Sequence, residues 1–314
     1  MHPFRVIVRK EVSDHIRSWQ FIILLAIVAL TCLGSLYTAL TNIGAVIKPN
    51  DPDNAFLFLK LFTASDGTLP SFAVFINFLG PLIGIALGFD AVNSEQNKGT
   101  LSRLMAQPIP RDYIINAKFI GALIVVSIMI FLLGFLVIGF GLIFIGIPPT
   151  AEEFLRIIFF LIVSIVYIAF WLNMSIFFSI LFRQAATSAL ASIAIWLFFS
   201  VFYNMLLNVI GKALSPSFMA GSAQVIHYQQ MMLNLLRFSP GTLLNEATMT
   251  LLMPSVRSLG PLTMEQVSGV IPSPLSLGQS LLVIWPQLTG LIALTVLFFA
   301  LAYVTFMRKE IRSR

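Results

Sequence analysis

The stretch GFDAVNSEQNKGTLSRLMAQPIPRDYIINAKF, residues Gly88–Phe119, gathers charge between two long apolar runs. No Asp, Glu, Lys or Arg occurs from Leu69 to Phe89 on one side, or from Phe119 to Ile147 on the other. Each run is long enough to cross a hydrocarbon core, which takes roughly 20 apolar residues. The charged stretch must therefore stand in water at a membrane surface, and a loop so rich in helix and turn signals is built to be offered to something.

Composition agrees: 58% of the chain is hydrophobic and 10% charged, against about 25% charge in soluble domains. The apolar runs are continuous instead of alternating, and backbone polar groups in lipid must be satisfied within their own segment, so the spans are helices and barrel strands are excluded. Six spans are expected: Trp19 to Thr41, Pro70 to Val92, Phe119 to Ile147, Ile157 to Phe182, Ala185 to Ile210 and Ser280 to Met307. The third is long enough to require a tilt or a break near Gly134, Gly139 and Gly141. The fold class is an all-α integral membrane protein, one transmembrane domain over residues 1–314.

Lys and Arg set the orientation, since cytoplasmic loops hold the excess. Thirteen of the nineteen fall on one side, in the N-terminal segment (Arg5, Arg9, Lys10, Arg17), the quoted loop (Lys98, Arg103, Arg111, Lys118), the short link at Arg183, and the C-terminus (Arg308, Lys309, Arg312, Arg314). That places both termini in the cytosol of a multi-pass protein in the cell membrane. The formal charge of +6 then expresses topology, and no basic patch with interleaved aromatics points to nucleic acid. Cys32, the single cysteine, sits in the first span and allows no internal disulfide. The charged segment before that span argues against a cleaved signal peptide.

Within residues 3–18, Phe4, Val8, Val12 and Ile16 form an apolar stripe beside a basic one, an amphipathic helix along the membrane surface. It serves either as a plain topological anchor or as a helix that also touches a partner. Residues 42 to 69 read as a polar outer loop, and IPPTAEE (Ile147–Glu153) as a tight turn joining spans three and four. The segment 211–279 holds a helix from Phe218 to Arg237 and another begun by Ser239 as N-cap and Pro240 at its first position. Together they suggest a small helical cap on the outer face.

Inside the loop 93–117, Ser94 can cap one short helix running from Glu95 to Ala106. Leu101, Leu104 and Met105 share a face of it, Pro108 and Pro110 end it, and Arg111 begins the next helix. The pattern E-x-x-x-G-T-L-x-x-L-x-x-x-P-I-x-R-x-x-I-x-x-x-K, from Glu95 to Lys118, resembles the cytosolic coupling loop of type-two permeases of ATP-binding-cassette transporters. Within that family it looks closest to the branch containing the permease of the nitrous-oxide-reductase maturation system.

The resemblance implies a homodimer with a separate cytosolic ATPase subunit, which would hold ATP and Mg, clasping each loop. The contact positions would fall on Glu95, Gly99, Thr100, Leu101, Arg103, Leu104, Pro108 and Arg111, with Leu101 and Leu104 as apolar knobs and Glu95 and Arg103 at the rim. The bland alternative is a capped loop helix packed on its own protein. An extracytoplasmic protein at the outer insert and the surrounding membrane lipid are further expected partners.

Asn77, beside a helix-kinking Pro81, and Asp90 at the inner end of span two are candidates for an intramembrane polar site. Asn173, Asn204, Asn208 and Gln287 are other buried polar candidates, although helix-to-helix hydrogen bonds explain such residues equally. There is no G-x-x-x-x-G-K-[ST] phosphate loop and no H-E-x-x-H, while His2, His15 and His227 are scattered. The chain therefore reads as non-enzymatic with no cofactor of its own, and the resemblance implies a permease coupled to a partner ATPase for export. The alternatives are an ion- or proton-coupled secondary carrier and a non-transporting membrane scaffold.

Overall fold

A computed structural model describes residues 3–41, 56–65, 69–146, 148–216, 221–257, 259–260 and 274–309. The polar run 42–55 and the Pro- and Ser-rich run 261–273 lie outside the described residues. Among those described, the structure is helical without strands.

Six helices are long and apolar enough to span a membrane. A surface helix α1 (Pro3–Ile16) precedes the first span, α2 (Trp19–Thr41). After a short helix α3 (Leu57–Thr63) comes the second span, α4 (Phe72–Gly88). The charged stretch folds into α5 (Asn93–Asn97) and α6 (Thr100–Met105) and leads into the third span, α7 (Arg111–Ile145). The fourth span is α8 (Ala151–Leu181). The fifth is α9 (Ala185–Leu197) and α10 (Tyr203–Leu214), joined by a π-helical turn over Phe198–Phe202. Two insert helices, α11 (Ser222–Leu236) and α12 (Pro240–Leu252), precede the last span, α13 (Leu277–Arg308).

The bundle is built around α8, which touches α4, α7, α9, α12 and α13. Its closest neighbour is fixed by Gly80, Gly84 and Gly88, one residue in four along α4. A Cβ at Gly84 would lie 2.7 Å from the Ile168 carbonyl oxygen, and one at Gly88 would lie 2.8 Å from that of Leu172. Main chain thus meets main chain, the contact that small residues permit where no hydrophobic force separates helix from lipid. Pro81 leaves the Asn77 carbonyl without its usual helical donor, and the Tyr167 hydroxyl of α8 donates to that oxygen at 2.9 Å.

Several expectations need correction. Of the tilt or break expected in the third span, the break does not occur: α7 runs 35 residues without interruption, about 52 Å at about 1.5 Å per residue. Its Gly134 and Gly141 make room for Leu161 and for Leu61 and Phe58. The fourth span starts at Ala151, six residues before the sequence limit. A capping box of Thr150 and Glu153 opens it, and Arg156 is fully buried, bonded to Glu152, Ser280 Oγ at 3.0 Å and the Leu251 carbonyl at 3.2 Å. These charges face protein, so the lipid rule that stopped the span at Ile157 does not apply. The outer loop is not wholly polar either, because α3 buries Phe58, Leu59, Leu61 and Phe62, and Glu153 accepts from the Phe58 amide at 3.0 Å.

The insert is not a cap resting on the outside. Tyr228 donates to the Gly211 carbonyl at 2.8 Å and Tyr203 donates to that of Leu235, so α11 runs back down beside α10. The chain reverses at Arg237–Ser239, and α12 climbs between α4, α8 and α13, with Leu244, Ala247 and Leu251 buried. Arg237 and Gln287 of α13 both donate to Glu246, at 2.9 and 2.7 Å, and close the hairpin.

Gly84→Ala is expected to push α4 off α8 and cost about 1–3 kcal/mol, read as a lowered Tm of the solubilised protein. Gly139→Ala, whose Cβ would meet nothing within 4 Å, is expected to leave Tm unchanged. Equal Tm values for the two variants would contradict the backbone contact.

Candidate coupling site

The charged stretch folds into a stiff elbow. Gly99 adopts a left-handed conformation, φ 68°, which splits the single expected helix into α5 and α6 and turns the chain where a side-chain-bearing residue would be strained. Ser94 is not the cap: α5 begins after Val92, and Ser179 Oγ at the end of α8 accepts from the amides of Val92 and Asn93 at 2.9 and 3.2 Å. Asn97 donates to the Arg183 carbonyl at 2.9 Å. Pro110 then serves as N-cap of α7, which a turn of five residues, 106–110, joins to α6.

A lattice of charge locks the elbow's other side. Glu95 Oε1 lies 3.0 Å from both Lys10 of α1 and Lys118 of α7. Glu11 of α1 meets Lys10 at 3.0 Å and Lys118 at 3.3 Å. Lys118 keeps only 4% of its side chain exposed, so its ammonium depends on these two carboxylates for the solvation it lacks. Gly121 admits α1 here, since a Cβ at that position would lie 2.8 Å from Glu11 Cβ. Phe4 packs edge-on to Tyr113, 5.5 Å between ring centres.

Helix α1 consequently buries Ile7 and Glu11, while Ile16 of the expected stripe is 47% exposed. Burial penalises the Glu11 carboxylate, but the Lys118 and Lys10 ammonium groups outweigh it and hold its pKa below the usual range. Burial likewise opposes the charge on Lys10, and Glu11 and Glu95 more than restore it, raising that pKa. His15 is held below its ordinary value by burial, against the attraction of Glu11, with Lys118 also disfavouring its charge and Asp90 and Asp14 favouring it.

The residues expected to meet a partner divide into two groups. Leu101 is 1% exposed and packs into the protein's own core, so it is not an outward knob; Leu104 is partly buried against the same core. Glu95 points inward to the lysines instead of standing at the rim. Gly99 and Thr100 are half-buried, and Thr100 donates back to the Glu95 carbonyl at 3.1 Å. Arg103, Pro108 and Arg111 are exposed, joined by Ala106, Gln107 and Pro110. The elbow thus presents a polar, basic crest on an apolar root.

Asn77 and Asp90 do not form one site. Asn77 donates to the Gly241 carbonyl at 3.0 Å inside the bundle, whereas Asp90 lies in the turn after α4, near His15. Sequence reasoning missed Lys10 and Lys118 as partners of Glu95, and Glu11 as the second carboxylate on Lys118. The signal was present as a carboxylate on the apolar side of α1 and a lysine just inside the third span, each in need of an opposite charge.

The family described as ABC-2 family transporter protein matches residues 5–311. The chain belongs to the ABC-2 transporter family. Among curated proteins it is 28% identical over 135 residues to the "Probable ABC transporter permease protein NosY" of Stutzerimonas stutzeri. It is 27% identical over 135 residues to the protein of the same description from Pseudomonas aeruginosa. Each match covers 43% of this chain and 42% of the relative's own length. As an ABC-2 family member with six candidate spans, the chain is a multi-pass transmembrane permease subunit.

Two outcomes are expected of the lattice. Lys118→Met leaves two buried carboxylates short of a cation and should cost about 3 kcal/mol, seen as faster hydrogen exchange across α1 and α5; wild-type exchange would contradict the lattice. Acidification should loosen α1 in two steps. The His15 imidazole is favoured neutral, so docking weakens as pH falls below 6.5; the contribution of Glu11 is present above 4.5 and is lost as pH falls through its lower docked value. His15→Asn should abolish the first step and keep the second in pH-dependent exchange of α1, and a persistent first step would contradict the assignment.

Proposed function

We propose that the chain is the membrane half of an ATP-driven exporter in the cell membrane, with its basic face and both termini in the cytosol. Two copies stand side by side, and a separate cytosolic ATPase subunit, which holds ATP and Mg²⁺, seats on each elbow. The observation that carries this reading is the elbow's construction: an exposed crest standing on a root tied to α1, α7 and α8. Closure of the ATPase displaces the crest, and because the root beneath it is bonded to three helices the displacement reaches the spans. Only a difference in contact between two ATPase states can shift the permease, and a rigid lever converts that difference into helix movement. The orientation is supported by the positive residues at the elbow, α1 and the end of α13, and the partner class by the family. The outer end of the α11–α12 hairpin is where an extracytoplasmic protein would dock, and lipid contacts the exposed apolar faces of α2 and α10.

The crest also decides which variants inform. Leu101→Asp would unfold the elbow by burying a charge, so it cannot separate contact from folding. Arg103→Glu with Arg111→Glu changes only exposed side chains. This double variant is expected to keep its Tm within a few degrees and to lose ATPase co-purification by about tenfold or more, as truncated hot-spot contacts do. Wild-type recovery of the ATPase would sink the proposed seat.

A further inference from the structure

Span five carries Ser200, Asn204 and Asn208, one residue in four, and all three are exposed. The series begins inside the π-helical turn Phe198–Phe202, a departure from α geometry that re-phases the helix face and recurs at functional sites. Ser200 and Asn204 open onto a cleft of 320 Å³, whose other walls are Asn77 and Phe78 of α4, Tyr167 and Trp171 of α8, and the tip of the re-entrant hairpin at Ser239–Asn245. The side chains of Ser200, Asn204, Thr242 and Asn245 make no hydrogen bond among the described residues. The buried Trp171 indole N–H lacks an acceptor of good geometry.

Polar groups at this depth are costly against hydrocarbon, so lipid tails are not what faces them. The surface is a concave cleft and not a flat stripe, the shape of a small-molecule site rather than of a helix interface. Apart from the Tyr167 hydroxyl no titratable side chain lines it, so neither a bare cation nor a strong anion finds a countercharge. Carboxamides and hydroxyls supply donors and acceptors together, a match for neighbouring hydroxyl groups. Phe78, Phe199 and Trp171 supply flat apolar walls, on which the C–H faces of such a group can lie. At the mouth, Val74 and Phe78 are each 52% exposed, an apolar path out between the helices.

We propose that this cleft binds the uncharged, hydroxyl-rich headgroup of an amphiphile whose apolar tail leaves past Val74 and Phe78. The inference rests on the transport reading above and names its cargo class. The hairpin tip forms one wall, and the Arg237–Glu246–Gln287 bonds hold that wall in place.

The test uses the full chain alone in phosphatidylcholine nanodiscs, titrated with dodecyl maltoside and with dodecyl phosphate and dodecyltrimethylammonium as chain-matched charged probes, followed by tryptophan fluorescence. Saturable binding of the maltoside, about tenfold tighter than either charged probe, is expected. Asn204→Leu and Asn245→Leu, both at exposed positions, should each weaken it about fivefold or more, the scale of a lost hydrogen bond to a group left unpaired. Asn234→Leu, outside the cleft, should not. Equal binding of a charged probe overturns the assigned class, and maltoside binding unmoved by both cleft variants overturns the site. A change of oligomeric state with unmoved maltoside binding also overturns it, by showing that a second copy covers these residues. Since no ATPase is present, failure here leaves the coupling seat standing, and failure of the seat leaves this cleft standing.

Discussion

Lys118 can be buried at the entrance of the third span only because Glu11 and Glu95 reach it from two other elements. A lone ammonium at that depth would be a buried charge without compensation. Paired on two sides, it becomes the point where the N-terminal helix, the elbow and a spanning helix are obliged to meet. Such a lattice contributes little net stability against an apolar alternative, but it discriminates strongly between correct and incorrect docking. Position, more than strength, is what it gives the elbow.

The same logic recurs at the opposite face. Arg156 is enclosed by Glu152, Ser280 and the carbonyls of Leu251 and Leu275, and Glu246 is held by Arg237 and Gln287. Each buried charge draws together segments remote in sequence. Between the two faces, the glycines of α4 let it approach α8 into main-chain contact. The protein is thus pinned by ion pairs at both ends and by close packing between them, an arrangement suited to passing a displacement along without absorbing it.

Much of this was legible in the sequence. Span number and the charged loop followed from uncharged run lengths, Pro110 and Arg111 marked the start of α7, and Ser239 and Pro240 marked that of α12. What hydropathy could not show was whether protein or lipid surrounds a residue. Glu152, Glu153 and Arg156 therefore truncated a helix that in fact continues through them, and the leucines of α12 read as a surface cap when they are core. Periodicity told that the elbow had an apolar face with Leu101 and Leu104, but not that this face turns inward. The left-handed Gly99 was equally invisible, since glycine permits that conformation without requiring it. At the candidate site, Arg103, Pro108 and Arg111 are exposed, while the partners of Glu95 became apparent only once α1 lay against α7.

The central claim is that α1 and the elbow move as one body with the spans they join. Spin labels at Arg9 and Gln107, both exposed, measure it most directly by double electron–electron resonance in the assembled transporter, with and without nucleotide. A single narrow intra-subunit distance, isolated by diluting labelled with unlabelled copies, that stays constant through the nucleotide cycle and broadens in Lys118→Met is the predicted result. A wild-type distance that is already broad, or that shifts when nucleotide binds, would show a hinge within the lever and contradict the account.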